Sequence, residues 1–488
     1  MSSGRSVLFL TNCELGQSNV ILAVAYELLK KGDLDVHIAS WTALEPRVLR
    51  LSRQLFGPEA ENETKRITFH SIPGLSMFDS AMKNFGQGRH TLQHKPGYAG
   101  TKHVREMTPQ MLAAWTPEEH IRLVDWFKDL ATTLKPTIVV LDPILSPAHD
   151  MIRGSNWKYA VLSPISLVSS LSLVEPWLAG FWKYPWQVML CSNFATGFPY
   201  PLPWLNLLEN IYCIFNAISM SLSHPHIKVL NATRRAHGIH GLLAAFEPYV
   251  KDVLHICPTL PEIDLPVKFP VNVHNVGPIV LPEQQLSESN PELLIWLQKG
   301  PTVLLNLGTH QEGNADQARG QAMGLRILLN ARPDVQVLWK FRAAPKSDAS
   351  EEIEALLGAE IRQGNVRVVN WLDSEPLSIL QSGCIKVAVH HGGANSWFEA
   401  TWAGVPQVVL AQWLDTYDNA SLAEYLGIGV YGNKTTAPMI AAEEFGNALM
   451  RAMGDDTLRE KAQAIGKLCQ GSGGRRLAAD LITQLAYE

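Results

Sequence analysis

None of the six cysteines, at positions 13, 191, 213, 257, 384 and 469, forms a CxxC pair, and no histidine cluster stands beside them at zinc spacing. That excludes a disulfide scaffold and a zinc ribbon, and it points to reduced side chains in a cytoplasmic protein. Charge is also scarce: 18% of residues carry it, and the net is −5. No basic stripe is available for a phosphate backbone, so no nucleic-acid partner is expected. Nor is there an uncharged apolar run of the ~20 residues that a bilayer span needs. The nearest, Trp204 to Leu222, is interrupted by Glu209 and Asn210. It reads as a buried or pocket-lining helix, with loose membrane contact as the lesser alternative. The opening MSSGRSVLFLTN has one basic residue and a short apolar run, so it reads as a first strand rather than a signal peptide. A GxGxxG fingerprint is missing after that strand, which removes the standard dinucleotide site there.

What the chain does have is length for two domains and a repeated alternation of strand and helix. VLFL (Val7 to Leu10) is followed by the turn TNCELGQSN and an amphipathic helix over Val20 to Lys31. DVHIAS, RITFHSIPG, TIVVLD and KYAVLSP read as further strands, with a helix over Glu118 to Leu134. A proline-rich stretch, Cys257 to Glu283, reads as a connection that takes in the end of the first domain. TVLLNLGT, VQVLWKF, VRVVNWL, IKVAVHHGG and PQVVLAQ then restart the pattern. Strands separated by helices predict an α/β protein of two Rossmann-like parallel-sheet domains facing across a cleft. The boundaries are 1–264 for the first domain, 265–290 for a linker and 291–470 for the second domain. The last helix, within 471–488, is expected to pack back on the first domain.

The most informative stretch is VHHGGANSWFEATWAGVPQVVLAQWLDTYDNA (Val389 to Ala420). A strand ends in His390 and His391, Gly392 and Gly393 let the backbone turn closely, and Ala394, Asn395 and Ser396 open a helix. Backbone N–H groups and the helix dipole then make one anion site, able to hold a diphosphate without a metal. Glu399, one turn into that helix, can accept from vicinal hydroxyls. The following loop carries Asp415 and Asp418, suited to sugar hydroxyls.

These residues resemble the donor signature of the UDP-glycosyltransferases of glycosyltransferase family 1, which have the GT-B fold. The pattern H-x-G-x-N-S-x-x-E is met by His391, Gly393, Asn395, Ser396 and Glu399, followed by Gly404, Val405 and Pro406. Asp415, Thr416, Asn419 and Ala420 stand where the family has D-Q-x-x-N-A, and His391 to Asp415 is the family's 24 residues. The resemblance implies donor contacts from Gly308, Thr309, Trp371, His391, Gly393, Ala394, Asn395, Ser396, Glu399, Asp415 and Thr416, with Trp371 stacking on uracil. Two positions depart from the pattern: Thr416 replaces a glutamine, and Ser374 replaces the glutamine three residues after the tryptophan. Both leave the sugar open, with UDP-glucose as the default.

The resemblance also implies inverting, metal-independent transfer from a UDP-sugar to a lipophilic small molecule, with no cofactor beyond the donor. The type is that of microbial and fungal secondary-metabolite enzymes. Phe181, Trp182, Trp186, Phe198 and Trp204 are expected to line the acceptor pocket, with core packing as the competing explanation. Relatives often carry a histidine base in the first turn, held by an aspartate after a later strand. Here Gln17 takes the histidine position, and an amide is no base near neutral pH. Asp142 matches the aspartate, although Asp before Pro143 also suits a helix N-cap. Three routes for the proton stay open: Asp142 with Gln17 orienting the acceptor, Glu14, or an acidic acceptor that needs little help. His149 and His70 are weaker candidates. Two rivals remain at this point: a nucleotide-sugar-binding protein without transferase activity, and a donor-only enzyme such as an epimerase.

Overall fold

The computed structural model describes residues 4–57, 67–88, 91–167, 196–247, 249–266, 269–309 and 311–488. The short apolar runs become strands of two separate parallel sheets. The first contains β1 (Ser6–Leu10), β2 (Asp35–Ser40), β3 (Thr68–Ser71), β4 (Ile138–Leu141), β5 (Tyr159–Leu162), β6 (Leu254–Cys257) and β7 (Val273–Asn275), in the order β3-β2-β1-β4-β5-β6-β7. The second contains β8 (Thr302–Asn306), β9 (Gln336–Lys340), β10 (Val366–Val369), β11 (Ile385–His390), β12 (Gln407–Val409) and β13 (Gly429–Tyr431), in the order β10-β9-β8-β11-β12-β13. In both sheets the order reverses beside the first strand, between β1 and β4 and between β8 and β11. Ligands of open α/β sheets bind beyond the strand ends at such reversals. The two reversals place residues 11–17 and Asp142 on one side, and residues 307–309 and 390–396 on the other.

β1 and β4 are buried over nearly their whole length, because helices cover both faces of the sheet. Val7 and Phe9 face one apolar cluster, Leu8 and Leu10 the other, as a strand's period of two requires. The second sheet builds its own core on Val303, Leu305, Val337, Trp339, Val387 and Val389.

Three details differ from the sequence reading. The first helix runs Leu15–Lys31, so Gly16 and Gln17 lie in its first turn and Glu14 is its N-cap residue. The span expected as linker contributes β7, which pairs with β6, so the crossing between domains begins only after Asn275. Asp142 does not cap the following helix, which runs Ser146–Ile152 with Leu145 at its N-cap. At the other end of the chain, the helix Arg475–Tyr487 buries Ala478, Ala479, Ile482 and Ala486 in the first domain's core, against the first helix. Among the described residues, no helix is long and apolar enough to cross a membrane.

Candidate active site

His390 ends β11 and His391 follows it directly, and the extended backbone sends the two side chains opposite ways. His390 turns into the core, 3% exposed. Its Nε2 donates to Gln407 Oε1 at 2.8 Å and its Nδ1 accepts from Gly392 N at 3.0 Å. Burial pushes its pKa down to about 4, so this imidazole stays neutral and shapes the turn. Asn419 Nδ2 braces the same turn by donating to Gly392 O at 2.7 Å.

His391 faces the cleft. Its ring lies 5.0 Å from that of Trp413. Its edges meet two glycines: a Cβ on Gly308 would fall 2.6 Å from His391 Cε1, and one on Gly393 2.3 Å from Nε2. Gly308 also has φ +87, a conformation that side chains rarely adopt. Both glycines are therefore required for the histidine to occupy this place. The helix Ala394–Ala403 starts here, with Gly393 as N-cap and no side chain capping it. The N–H groups of its first turn have no carbonyl within the helix to bond and point to the cleft mouth.

The cleft encloses about 860 Å³, counting its part open to solvent. On the second domain's side it is lined by Gly308, Thr309, Trp371, His391, Gly393, Ala394, Asn395, Ser396 and Glu399, all expected from the sequence. Trp371 is 51% exposed, and Lys340 Nζ lies 4.0 Å from its ring centroid. One face of the indole is thus backed by a cation and the other is left for a ligand. Lys340 Nζ also donates to Gly308 O at 2.9 Å, and burial lowers its pKa to about 8. Glu399 is pushed up to about 8 by burial and by the nearby carboxylates of Glu375 and Glu283, against the pull of Arg47.

The first domain closes the other side with Leu15, Gly16, Asn19 and Arg47. Asn395 Nδ2 reaches across to donate to Leu15 O at 2.7 Å. Sequence reasoning missed Lys340, Asn19, Arg47 and Glu375. Lys340 was visible in VLWKF, at the carboxyl end of a strand. Arg47 and Asn19 carried no local signal, because their roles come from facing the other domain.

Other expected residues lie elsewhere. Thr416 is fully buried. Its Oγ1 accepts from Gln412 N at 3.1 Å and Trp413 N at 3.0 Å, and it donates to Trp413 O. It shapes the loop from inside and does not line the cleft. Asp415 opens the helix Asp415–Leu426 beside it, and burial pushes its carboxyl up to about 6. The preceding residue, Leu414, has φ 35 and donates its N–H to His94 Nε2 of the first domain at 2.9 Å. The loop that carries Asp415 is thus held from the opposite domain.

Asp142 is 1% exposed. Its Oδ2 accepts from Thr11 Oγ1 at 3.3 Å and from Asn12 N and Nδ2, each at 3.1 Å. Its Oδ1 accepts from Ile144 N at 3.1 Å. Burial raises its pKa, and these hydrogen bonds pull it back. His149 is buried with Nε2 on the Asp142 carbonyl at 3.0 Å, and His70 pairs with His37 at 3.1 Å, so both are held in structural contacts. Gln17 Oε1 is buried without a hydrogen-bond partner. Glu14 is half-buried at the helix start, its carbonyl accepting from Gln17 N and Ser18 N. Of the aromatics expected around the acceptor, Phe181, Trp182 and Trp186 lie outside the described residues. Phe198 is half-buried beside Gly97, and Trp204 is 86% exposed.

Known proteins resemble this chain in sequence and in fold. A family model described as Erythromycin biosynthesis protein CIII-like, C-terminal domain, matches residues 353–470. Glycosyltransferase sdnJ of Sordaria araneosa is 42% identical, over 99% of this chain and 98% of its own. UDP-glycosyltransferase CGT of Oryza sativa subsp. japonica is 27% identical over 40% of this chain and 42% of its own. Among solved structures, Medicago truncatula UGT71G1 complexed with UDP-glucose has a TM-score of 0.65 at 16% identity, covering 99% of each chain. At 42% identity over nearly the whole of both chains, with that fold in common, the protein belongs to the UDP-glycosyltransferases of glycosyltransferase family 1 and has their GT-B fold.

Proposed function

We propose that the protein transfers a hexose, UDP-glucose being the default donor, to a hydroxyl or carboxyl of a lipophilic natural product, with inversion at the anomeric carbon. The observation that carries this reading is the placement of His391. Its ring is wedged between Gly308 and Gly393 at the mouth of an open helix N-terminus, facing the first domain's turn across the cleft. In this reading Trp371 stacks on the uracil and Glu399 accepts from the ribose hydroxyls. The first-turn N–H groups of Ala394, Asn395 and Ser396, with His391, hold the diphosphate. Asp415 meets the sugar. As the glycosidic bond to UDP breaks, negative charge grows on the diphosphate, where preorganised donors stabilise it most. That charge complement comes from the chain itself, so no metal or further cofactor is assigned. A cytoplasmic setting suits such a donor.

For the acceptor proton we favour Glu14 over Asp142. Asp142 has both carboxylate oxygens committed to Thr11, Asn12 and Ile144. In this reading Gln17, in the same turn, orients the acceptor. The test is incubation of the protein with UDP- and other nucleotide-linked sugars and a panel of lipophilic acceptors, read by mass spectrometry. Hexose mass gains with UDP-glucose are expected. UDP binding with no product from any acceptor, or transfer from a different nucleotide's sugar only, would refute the assignment.

A further inference from the structure

The cleft has charged groups that the reading above leaves unused. Arg47 and Arg50 lie on the helix Glu45–Phe56 of the first domain. Glu375 follows Trp371 by four residues in the second domain, and Glu283 sits on the crossing between the domains. Arg47 Nη2 donates to both oxygens of Glu375, at 2.9 and 3.0 Å, and its Nη1 to Asn19 Oδ1 at 3.3 Å. Arg50 donates to Glu375 at 2.8 Å and to Glu283 at 3.0 Å. Arg47, Asn19 and Glu375 all line the same cleft as Trp371 and Glu399.

We infer that Arg47 is a donor-positioning residue supplied by the first domain: through Glu375 it holds the nucleoside end of the cleft closed around the bound nucleotide. This rests on the proposed donor site. Apart from the contacts of His94 and Gln93 with the Asp415 loop, the cleft is bridged at two places, and they differ. At the helix N-terminus, where the diphosphate is assigned, the bridge is the single neutral hydrogen bond from Asn395 to Leu15 O. Beside Trp371, where the base is assigned, it is a charged fork. Arg47 and Glu375 are each about one-fifth exposed, so the pair is screened less than a surface pair. Three carboxylates, Glu283, Glu375 and Glu399, face the two arginines. Removing Arg47 leaves the Glu375 carboxylate, then held by Arg50 alone, to oppose an anionic ligand. Arg50, 47% exposed on its side chain and outside this cleft's lining, still holds Glu283 and Glu375 but does not reach over the donor.

The experiment is calorimetric titration of UDP into the full chain and its Arg47→Ala, Glu375→Ala and doubly substituted forms, at low and high salt. Donor KM and kcat are measured on the same proteins. Each single change is expected to weaken UDP binding about fivefold to tenfold, the effect of an ion pair worth roughly 1 kcal/mol. The double change is expected to weaken it no further than the worse single one, because the two residues act as a unit. The penalty should fall on donor KM and leave kcat within about twofold, a split that general loss of folding does not produce. Salt should weaken binding more in the unsubstituted protein than in the double variant. UDP affinity unchanged in Arg47→Ala, or single losses that multiply in the double variant, would overturn the inference alone. Failure of the unsubstituted protein to bind UDP removes the proposed donor site, and the inference with it.

Discussion

Asp142 accepts from Asn12 twice, from the backbone N–H and from the side-chain amide, both at 3.1 Å. This pair ties the loop after β1 to the loop after β4 at the point where the sheet order reverses. The carboxylate therefore sets the shape of the turn that carries Glu14 and Gln17. Asp142→Asn puts an N–H where an acceptor is needed, against either the Asn12 and Thr11 donors or Ile144. We expect a loss of about 2–3 kcal/mol in stability. Activity per folded molecule should fall by much less than the ~10²–10⁴-fold expected for loss of a base. Denaturant unfolding beside single-turnover rates checks both. A fall of that size in folded protein would return the proton to Asp142.

Glu14 is open to the complementary test. Glu14→Gln keeps the shape of the side chain and removes its basicity. With a hydroxyl acceptor, kcat is expected to drop about 10²-fold or more while donor KM stays constant. The loss should shrink along a series of increasingly acidic acceptors, because an ionised carboxylate or phenolate attacks without help. A uniform loss along that series would argue for a change in geometry instead.

Thr416 occupies the place of a family glutamine but works inward. Thr416→Val deprives the N–H groups of Gln412 and Trp413 of their acceptor and should reduce stability by about 2 kcal/mol. Thr416→Gln, which restores the family residue, is expected to destabilise through overpacking rather than to change sugar preference. A shift in sugar preference without loss of stability would show that the loop takes a different form when a donor is bound.

Lys340 is expected to make donor binding depend on pH. Its pKa is lowered to about 8 from the usual lysine range by burial and by nearby Arg342. The ammonium is present below that value and is lost as pH rises through it. Affinity for the diphosphate-bearing donor should therefore fall from about pH 7 to pH 9, and donor KM should rise. In Lys340→Arg, which stays charged throughout, the fall over the same range should be smaller, the remainder coming from Glu399, which also titrates at about 8. Donor KM measured across that interval decides it.

Much of this was readable in the sequence because it is local. Apolar runs fixed the strands, and the spacing from His391 to Glu399 placed a helix N-terminus with a carboxylate one turn in. The same local grammar misjudged Asp142, where Asp-Pro resembles a helix cap but the side chain bonds residues over a hundred positions away in sequence. Thr416 failed for a related reason: whether a loop side chain points in or out depends on packing, here against His94 and Gln93 of the other domain. Residues whose partners lie across the cleft, Arg47 above all, leave no periodic trace.

The return of the last helix to the first domain has a mechanical consequence. The chain passes between the two halves twice, once after Asn275 and again near Gly474, and the two passages touch: Gly474 N donates to Val276 O at 2.9 Å. The halves are thus joined at one double crossing rather than by a single tether. A protease cut in the outward passage alone would leave the halves joined, since the final helix is anchored among Ala478, Ile482 and the first helix. Any change in the width of the cleft would turn about that double crossing, and the contacts far from it, on the cleft's rim, would have the longest lever arm over the mouth.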